Sequence, residues 1–229
     1  MSPLSRSLTA EFIGTFALIF VGAGAATALG EGHVPAVALA HGLTIMVFAV
    51  AFGDISGCHI NPAVTIGLAT AGKFPRNRVG PYVAAQLLGG IIAACLLRVL
   101  FGGPVNHLGA TLIDTHRITV LSGFGFEAIG TFFLVNTVLN TAVRANASLA
   151  PFAIGMTVTM CILAFGNLTG GSVNPARTLG PAIAAGQYQD ILVYFAAQIL
   201  GCLAAGGLYR LLWTSRPALQ NRTVAVASR

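Results

Sequence analysis

Charge is scarce in this chain. Only 8% of its 229 residues are Asp, Glu, Lys or Arg, against about a quarter in soluble domains, which excludes an ordinary soluble enzyme or binding module. The 55% hydrophobic content and mean hydropathy of +0.83 exclude disorder, which needs low hydrophobicity and high charge. None of Cys58, Cys95, Cys161 and Cys202 makes a C-x-x-C pair, so neither a disulfide framework nor a zinc site is indicated. Each lies in or beside an apolar run and reads as a small packing residue. No nucleophile–base pair, metal cluster or phosphate loop is visible, so neither an enzyme nor a cofactor has support. The net charge of +6 marks cytoplasmic membrane edges rather than nucleic-acid binding.

What fills the chain instead is apolar sequence. A spanning helix takes about 20 apolar residues, and the low-charge runs predict six, near 8–29, 35–53, 81–102, 122–143, 149–166 and 190–213. Two more apolar stretches, 61–70 and 174–184, are too short to cross a bilayer. The first span has a basic start at Arg6 and small residues over 22–26, as a signal peptide would. Glu11 interrupts its apolar region and it has an internal copy, so it reads as a retained helix. The chain is expected to be one membrane domain over 1–229, ending in a cytoplasmic tail at 214–229. The short tails and the lack of a transit peptide point to a plain cell membrane.

The internal copy organises everything else. Glu11-Phe12-Ile13-Gly14-Thr15-Phe16 recurs as Glu127-Ala128-Ile129-Gly130-Thr131-Phe132. Asn61-Pro62-Ala63 recurs 113 residues later as Asn174-Pro175-Ala176, and Ala85-Gln86-Leu87-Leu88-Gly89 recurs 112 later as Ala197-Gln198-Ile199-Leu200-Gly201. Repeats over 7–105 and 118–213 each hold three spans, an odd number, so the second half is inverted relative to the first. With both termini cytoplasmic, Arg6, Lys73, Arg76, Arg78, Arg144, Arg210, Arg216, Arg222 and Arg229 fall inside. Only Arg98, Arg117 and Arg177 fall outside or within the membrane, which is a positive-inside pattern. Gly14, Gly89, Gly90, Gly130 and Gly201 sit where helices can approach closely.

Each Asn-Pro-Ala opens one of the short stretches. Asn is a preferred N-cap and Pro fits the first helical position, so both tripeptides read as helix starts. Half-helices entering from opposite faces meet near the midplane with their N-termini facing, and each N-terminus carries about half a positive charge. A cation there meets a barrier, whereas the amides of Asn61 and Asn174 can donate to the oxygen of a neutral molecule. The lead-ins Ser56-Gly57-Cys58-His59-Ile60 and Thr169-Gly170-Gly171-Ser172-Val173 offer backbone carbonyls as acceptors, with Gly57, Cys58, His59, Gly170, Gly171 and Ser172 as the carbonyl ladder. Central donors and flanking acceptors suit a small neutral solute and disfavour protons and metal cations.

The sequence resembles the aquaporin (major intrinsic protein) family over essentially its whole length. Ser56-Gly57-Cys58-His59-Ile60-Asn61-Pro62-Ala63-Val64-Thr65, Gly170-Gly171-Ser172-Val173-Asn174-Pro175-Ala176-Arg177 and the repeated Glu-x-x-Gly-Thr-Phe carry the match. The resemblance implies an all-α membrane protein, a right-handed bundle of six transmembrane helices plus two re-entrant half-helices. It further implies one pore per protomer and a homotetramer. It also implies a narrow point built by His41, Ile162, Gly171 and Arg177. Arg177 is a charge at membrane depth, which must line a cavity or find a partner. Strict water channels of the family pair an aromatic at the position of His41 with a His at that of Ile162. The set here is similar to that of plant vacuolar-membrane aquaporins that pass ammonia as well as water. His116 matches a loop His that lies over the narrow point of those proteins.

Glycerol channels of the family typically carry Trp at the His41 position and Asp after the pore Arg. Here Thr178 follows Arg177, Ala182 replaces a frequent basic residue, and Tyr194-Phe195 resembles the aromatic pair of water-type members. The expectation is a passive channel for water and ammonia in a lipid bilayer. The alternatives are a channel for glycerol or urea, and a proton-coupled carrier. Glu11 and Glu127, equivalent in the repeats, are expected to brace the two lead-ins, and His59 to steady the first of them. A proton-coupled carrier would use such carboxylates as a relay instead.

Overall fold

A backbone in hydrocarbon must satisfy its N–H and C=O groups internally, so the apolar runs become helices. The computed structural model describes residues 1–30, 32–145 and 147–213. Among them the chain forms α1 (Pro3–Leu29), α2 (Val34–Ser56), a short α3 (Pro62–Thr70), α4 (Arg76–Leu100) and α5 (Val120–Val138). α6 (Ala150–Thr169), a short α7 (Pro175–Ala185) and α8 (Ile191–Trp213) complete it. Six of these are long and apolar enough to span a bilayer, with α5 counted through its extension to Arg144. The secondary structure of the described residues is thus all helical, with two half-helices. The 9 residues of α3 and 11 of α7 rise about 14 and 16 Å, half of a hydrocarbon layer of roughly 30 Å.

Three boundaries differ most from the sequence reading, the first being α1, which starts at Pro3, ahead of the expected 8. α4 starts at Arg76, ahead of the expected 81, because Pro81 is accommodated inside the helix and the charged turn before it is helical too. α5 gives way at Leu139 to a π-helical segment over Leu139–Ala145. There Asn140 donates to the Asn136 carbonyl at 2.9 Å, and a wider turn of this kind is common at functional sites. The expected tail at 214–229 lies outside the described residues. The cysteines also divide: Cys161 and Cys202 are buried, Cys95 is exposed on α4, and Cys58 sits in a lead-in.

The packing repeats with the sequence. α1 lies chiefly on α4 and α2, α5 on α8, and α2 on α6. α7 packs on α4, α8 and α1, while α3 packs on α8, α4 and α5, so each half-helix is clasped by helices of both repeats. Gly89 allows α4 to rest on the backbone of α1 at Phe12, and Gly201 allows α8 the same on α5 at Ala128. Polarity is turned inside out relative to a soluble protein. Glu11, Gln86, Glu127, Gln198 and Arg177 are buried, whereas Val99, Leu121 and Leu192 are exposed.

Candidate functional site

The two Asn-Pro-Ala elements meet and tie themselves together. Asn61 Oδ1 accepts from the Ala63 amide at 2.8 Å, and Asn174 Oδ1 accepts from those of Ala176 at 2.9 Å and Arg177 at 3.3 Å. These bonds cap α3 and α7, with Pro62 and Pro175 in the first turn. The side-chain nitrogens cross over: Asn61 Nδ2 donates to Val173 O at 2.9 Å, and Asn174 Nδ2 to Ile60 O at 3.0 Å. An amide NH2 has two hydrogens, so one remains on each Asn.

The lead-ins before them are strained on purpose of geometry. Cys58, Ile60 and Val173 adopt φ of 45°, 43° and 46°, a left-handed conformation that costs roughly 1–2 kcal/mol for a side-chain-bearing residue. Two buried carboxylates hold it in place. Glu11 accepts from His59 N (2.9 Å), Ile60 N (2.7 Å), Ser56 Oγ (2.7 Å) and Gln86 Nε2 (2.7 Å). Glu127 accepts from the equivalent Ser172 N (2.9 Å), Val173 N (2.8 Å), Thr169 Oγ1 (2.8 Å) and Gln198 Nε2 (3.2 Å). The lead-in N–H groups are therefore consumed on one side. Among the described residues no donor bonds the carbonyls of Gly57, Cys58, His59, Gly170, Gly171 or Ser172. Each lead-in thus offers acceptors and hardly any donors.

Around these braces lies a second symmetric ring. His59 Nδ1 bonds Thr65 Oγ1 at 3.0 Å, and Ser172 Oγ bonds Thr178 Oγ1 at 2.6 Å. Gln86 and Gln198 also donate to these threonines, and the Tyr82 and Tyr194 hydroxyls donate to the carbonyls of Ser56 and Thr169. The Ser56, Ile60, Thr169 and Val173 carbonyls, expected as acceptors for solute, are thus already taken by Tyr82, Asn174, Tyr194 and Asn61, and none of Gln86, Gln198, Tyr82 or Thr65 was singled out for a role from sequence. The signal was present, because each pair recurs at an offset of 112 or 113.

A cavity of about 570 Å³ runs from Asp54 and Lys73, past Cys58 and both Asn residues, to His41 and Arg177. There Arg177 Nε donates to His41 Nε2 at 3.1 Å. His41 Nδ1 bonds the Val37 carbonyl at 2.9 Å. A carbonyl only accepts, so Nδ1 carries the proton and Nε2 is the acceptor: the ring is neutral and both its nitrogens are engaged. Arg177 Nη1, by contrast, is buried and without a hydrogen-bond partner.

Ile162 and Gly171 do not line that cavity, but they touch: a Cβ on Gly171 would lie 3.0 Å from Ile162 Cα and Cγ1. His116 stands apart from the other four. It is exposed, its backbone amide donates to Asp114 Oδ1 at 3.1 Å, and no contact joins its ring to His41 or Arg177. The loop residue found against the second lead-in is Thr111, whose Cγ2 would lie 2.6 Å from a Cβ on Gly170. Arg98 donates to the Ala184 carbonyl, capping the far end of α7 with a cation.

Six spanning helices, two half-helices joined tip to tip and a cavity leading to them define a multi-pass membrane channel for small neutral solutes. A profile of the family described as "Major intrinsic protein" matches residues 1–209, and the chain belongs to that family. Among its relatives, "Aquaporin NIP1-1" of Zea mays is 39% identical over 94% of this chain and 78% of its own. "Nodulin-26" of Glycine max is 39% identical over 94% and 81%. In fold the chain resembles the "aquaglyceroporin from Plasmodium falciparum", with a TM-score of 0.78 and 24% identity over 93% of this chain and 96% of that one. The relatives are thus of NIP type, not the vacuolar-membrane type that the His41, Ile162, Gly171 and Arg177 set suggested.

Proposed function

We propose that the protein is a passive channel for water and ammonia that excludes protons and ions, with Arg177, His41, Ile162 and Gly171 as its selectivity filter. The observation that carries this reading is the buried guanidinium of Arg177, which lines the end of the cavity with its Nε tied to His41. As a fixed fork of N–H donors, the guanidinium can donate to a passing oxygen or nitrogen lone pair. The same fixed cation, with the N-termini of α3 and α7 behind it, repels cations. Asn61 and Asn174 orient the solute with their remaining hydrogens, and the free carbonyls of the lead-ins accept from it. Glu11 and Glu127 act as braces: each is occupied by four hydrogen bonds, which argues against a proton relay. His116 takes no part in this version of the filter.

A second reading, permeation of glycerol or urea, is favoured by one feature. Gly171 contributes no side chain and Ile162 an apolar one, which suits a solute with a carbon skeleton, and the relatives' NIP type is compatible with it. In either case the protein is proposed to form homotetramers in the cell membrane, with both termini cytoplasmic and Lys73, Arg76, Arg78 and Arg144 at the inner edge. The test is an ammonium jump on proteoliposomes of low ammonia permeability holding a pH dye. Alkalinisation clearly faster than in empty vesicles is expected. Rates equal to empty vesicles, where osmotic shrinkage is still fast, would remove ammonia from the reading.

A further inference from the structure

The tip of the His41 imidazole rests on Gly22 of α1. A Cβ on Gly22 would lie 2.5 Å from Cδ2 and Nε2 of that ring and 2.7 Å from Cε1. Carbon contacts settle near 3.5–4.0 Å, so any side chain at this position displaces the ring by about 1 Å. Conformation does not call for the glycine. Residue 22 lies within α1 at an ordinary negative φ, where alanine is favoured over glycine by about 1 kcal/mol. The three crowded atoms all belong to one ring, and one of them, Nε2, is the acceptor that holds Arg177.

We propose that Gly22 is a specificity-determining residue of the channel: it seats the His41 ring against α1, and so sets both the aperture beside the ring and the orientation of Arg177. This rests on His41 and Arg177 forming the filter. The other end of the ring is anchored by Nδ1 on Val37 O. A Cβ at 22 therefore tilts the tip away from α1 about that anchor, into the cavity that His41 lines, and draws Nε2 off the guanidinium. Narrowing penalises a larger solute more than a smaller one.

The experiment compares the parent, Gly22→Ala, His41→Ala and the double variant in proteoliposomes, with fluxes of water, ammonia, formamide, urea and glycerol. For the largest solute that crosses the parent, Gly22→Ala is expected to cut flux about tenfold while water falls less than about threefold. In the His41→Ala background the same substitution is expected to change neither flux by more than about twofold, since no ring is left to displace. Equal losses in both backgrounds, or parental selectivity in Gly22→Ala, would overturn the proposal. If Gly22→Ala fails to fold, recovery of a monodisperse protein in the double variant supports it, and persistent failure overturns it. His41→Ala alone with parental selectivity would instead overturn the filter reading, and this inference with it.

Discussion

Arg177 Nε and His41 Nε2 are 136 residues apart in sequence and 3.1 Å apart in space, and the bond between them settles which atom of His41 holds the proton. The imidazole has no free nitrogen left for a solute. Its work is done through Arg177: with Nε tethered, the guanidinium is held in one orientation where it lines the cavity.

His41→Phe removes that acceptor and His41→Gln can retain it through its amide oxygen. Ammonia flux is expected to fall about tenfold in the Phe variant and by less than about threefold in the Gln variant, with water less affected in both. Stopped-flow measurements of the two solutes on the same vesicles check this. Equal losses of water and ammonia would remove the selectivity argument.

Arg177→Ala takes away the cation of the proposed filter. Proton or sodium leak through proteoliposomes under an imposed potential is expected to rise by about tenfold or more, with water flux preserved or increased. An unchanged leak counts against the barrier role.

Glu127→Gln turns one acceptor oxygen toward backbone N–H groups as a donor. Leaving buried donors unpaired costs roughly 1–3 kcal/mol each, so a loss of about 2–4 kcal/mol is expected, visible as a lower melting temperature in detergent. Glu11→Gln is expected to match it, because the two networks correspond bond for bond. A large difference between the variants would show that the braces are not equivalent.

Asn61→Ala and Asn174→Ala each delete a helix cap, costing about 0.5–2 kcal/mol, and one of the crossed amide bonds. Since the crossed bonds restrain the same pair of tips, the double variant is expected to lose less than the sum of the singles. Additive losses would mean the half-helices are held independently.

Cys58 lines the cavity. A mercurial that forms a bulky thiolate adduct there is expected to reduce water flux severalfold, and Cys58→Ser to abolish the effect. Inhibition surviving that substitution would place the reactive thiol elsewhere.

Much of the fold could be read from local chemistry. The charge-free runs marked the spans, and Asn-Pro at the start of each short stretch marked a capped helix, since both rest on rules within a few residues. The start of α4 was misplaced because Pro81 and the arginines ahead of it look like a boundary, while the helix simply absorbs the proline. The recurrence of Gln86 and Gln198 at an offset of 112 marked them as a pair, but not what they bind. A glutamine in an apolar run says only that it has a partner, and those partners, Glu11 and Glu127, lie 75 and 71 residues away. His41 and Arg177 were placed together on resemblance alone, and the use of both nitrogens of His41 depends on Val37 one turn back and on a helix from the other repeat. Gly22, read only as a small residue, acquires meaning once the ring beside it is in place.

The reciprocal bonds of Asn61 with Val173 and Asn174 with Ile60 act as a rivet through the middle of the molecule. A carrier built from inverted repeats works by rocking one half against the other about its centre, and here that hinge line is pinned from both sides. Solute therefore moves while the protein stands still. Transport without a conformational cycle has no turnover step to saturate, so flux is expected to rise in proportion to the gradient and to carry the shallow temperature dependence of diffusion in liquid water.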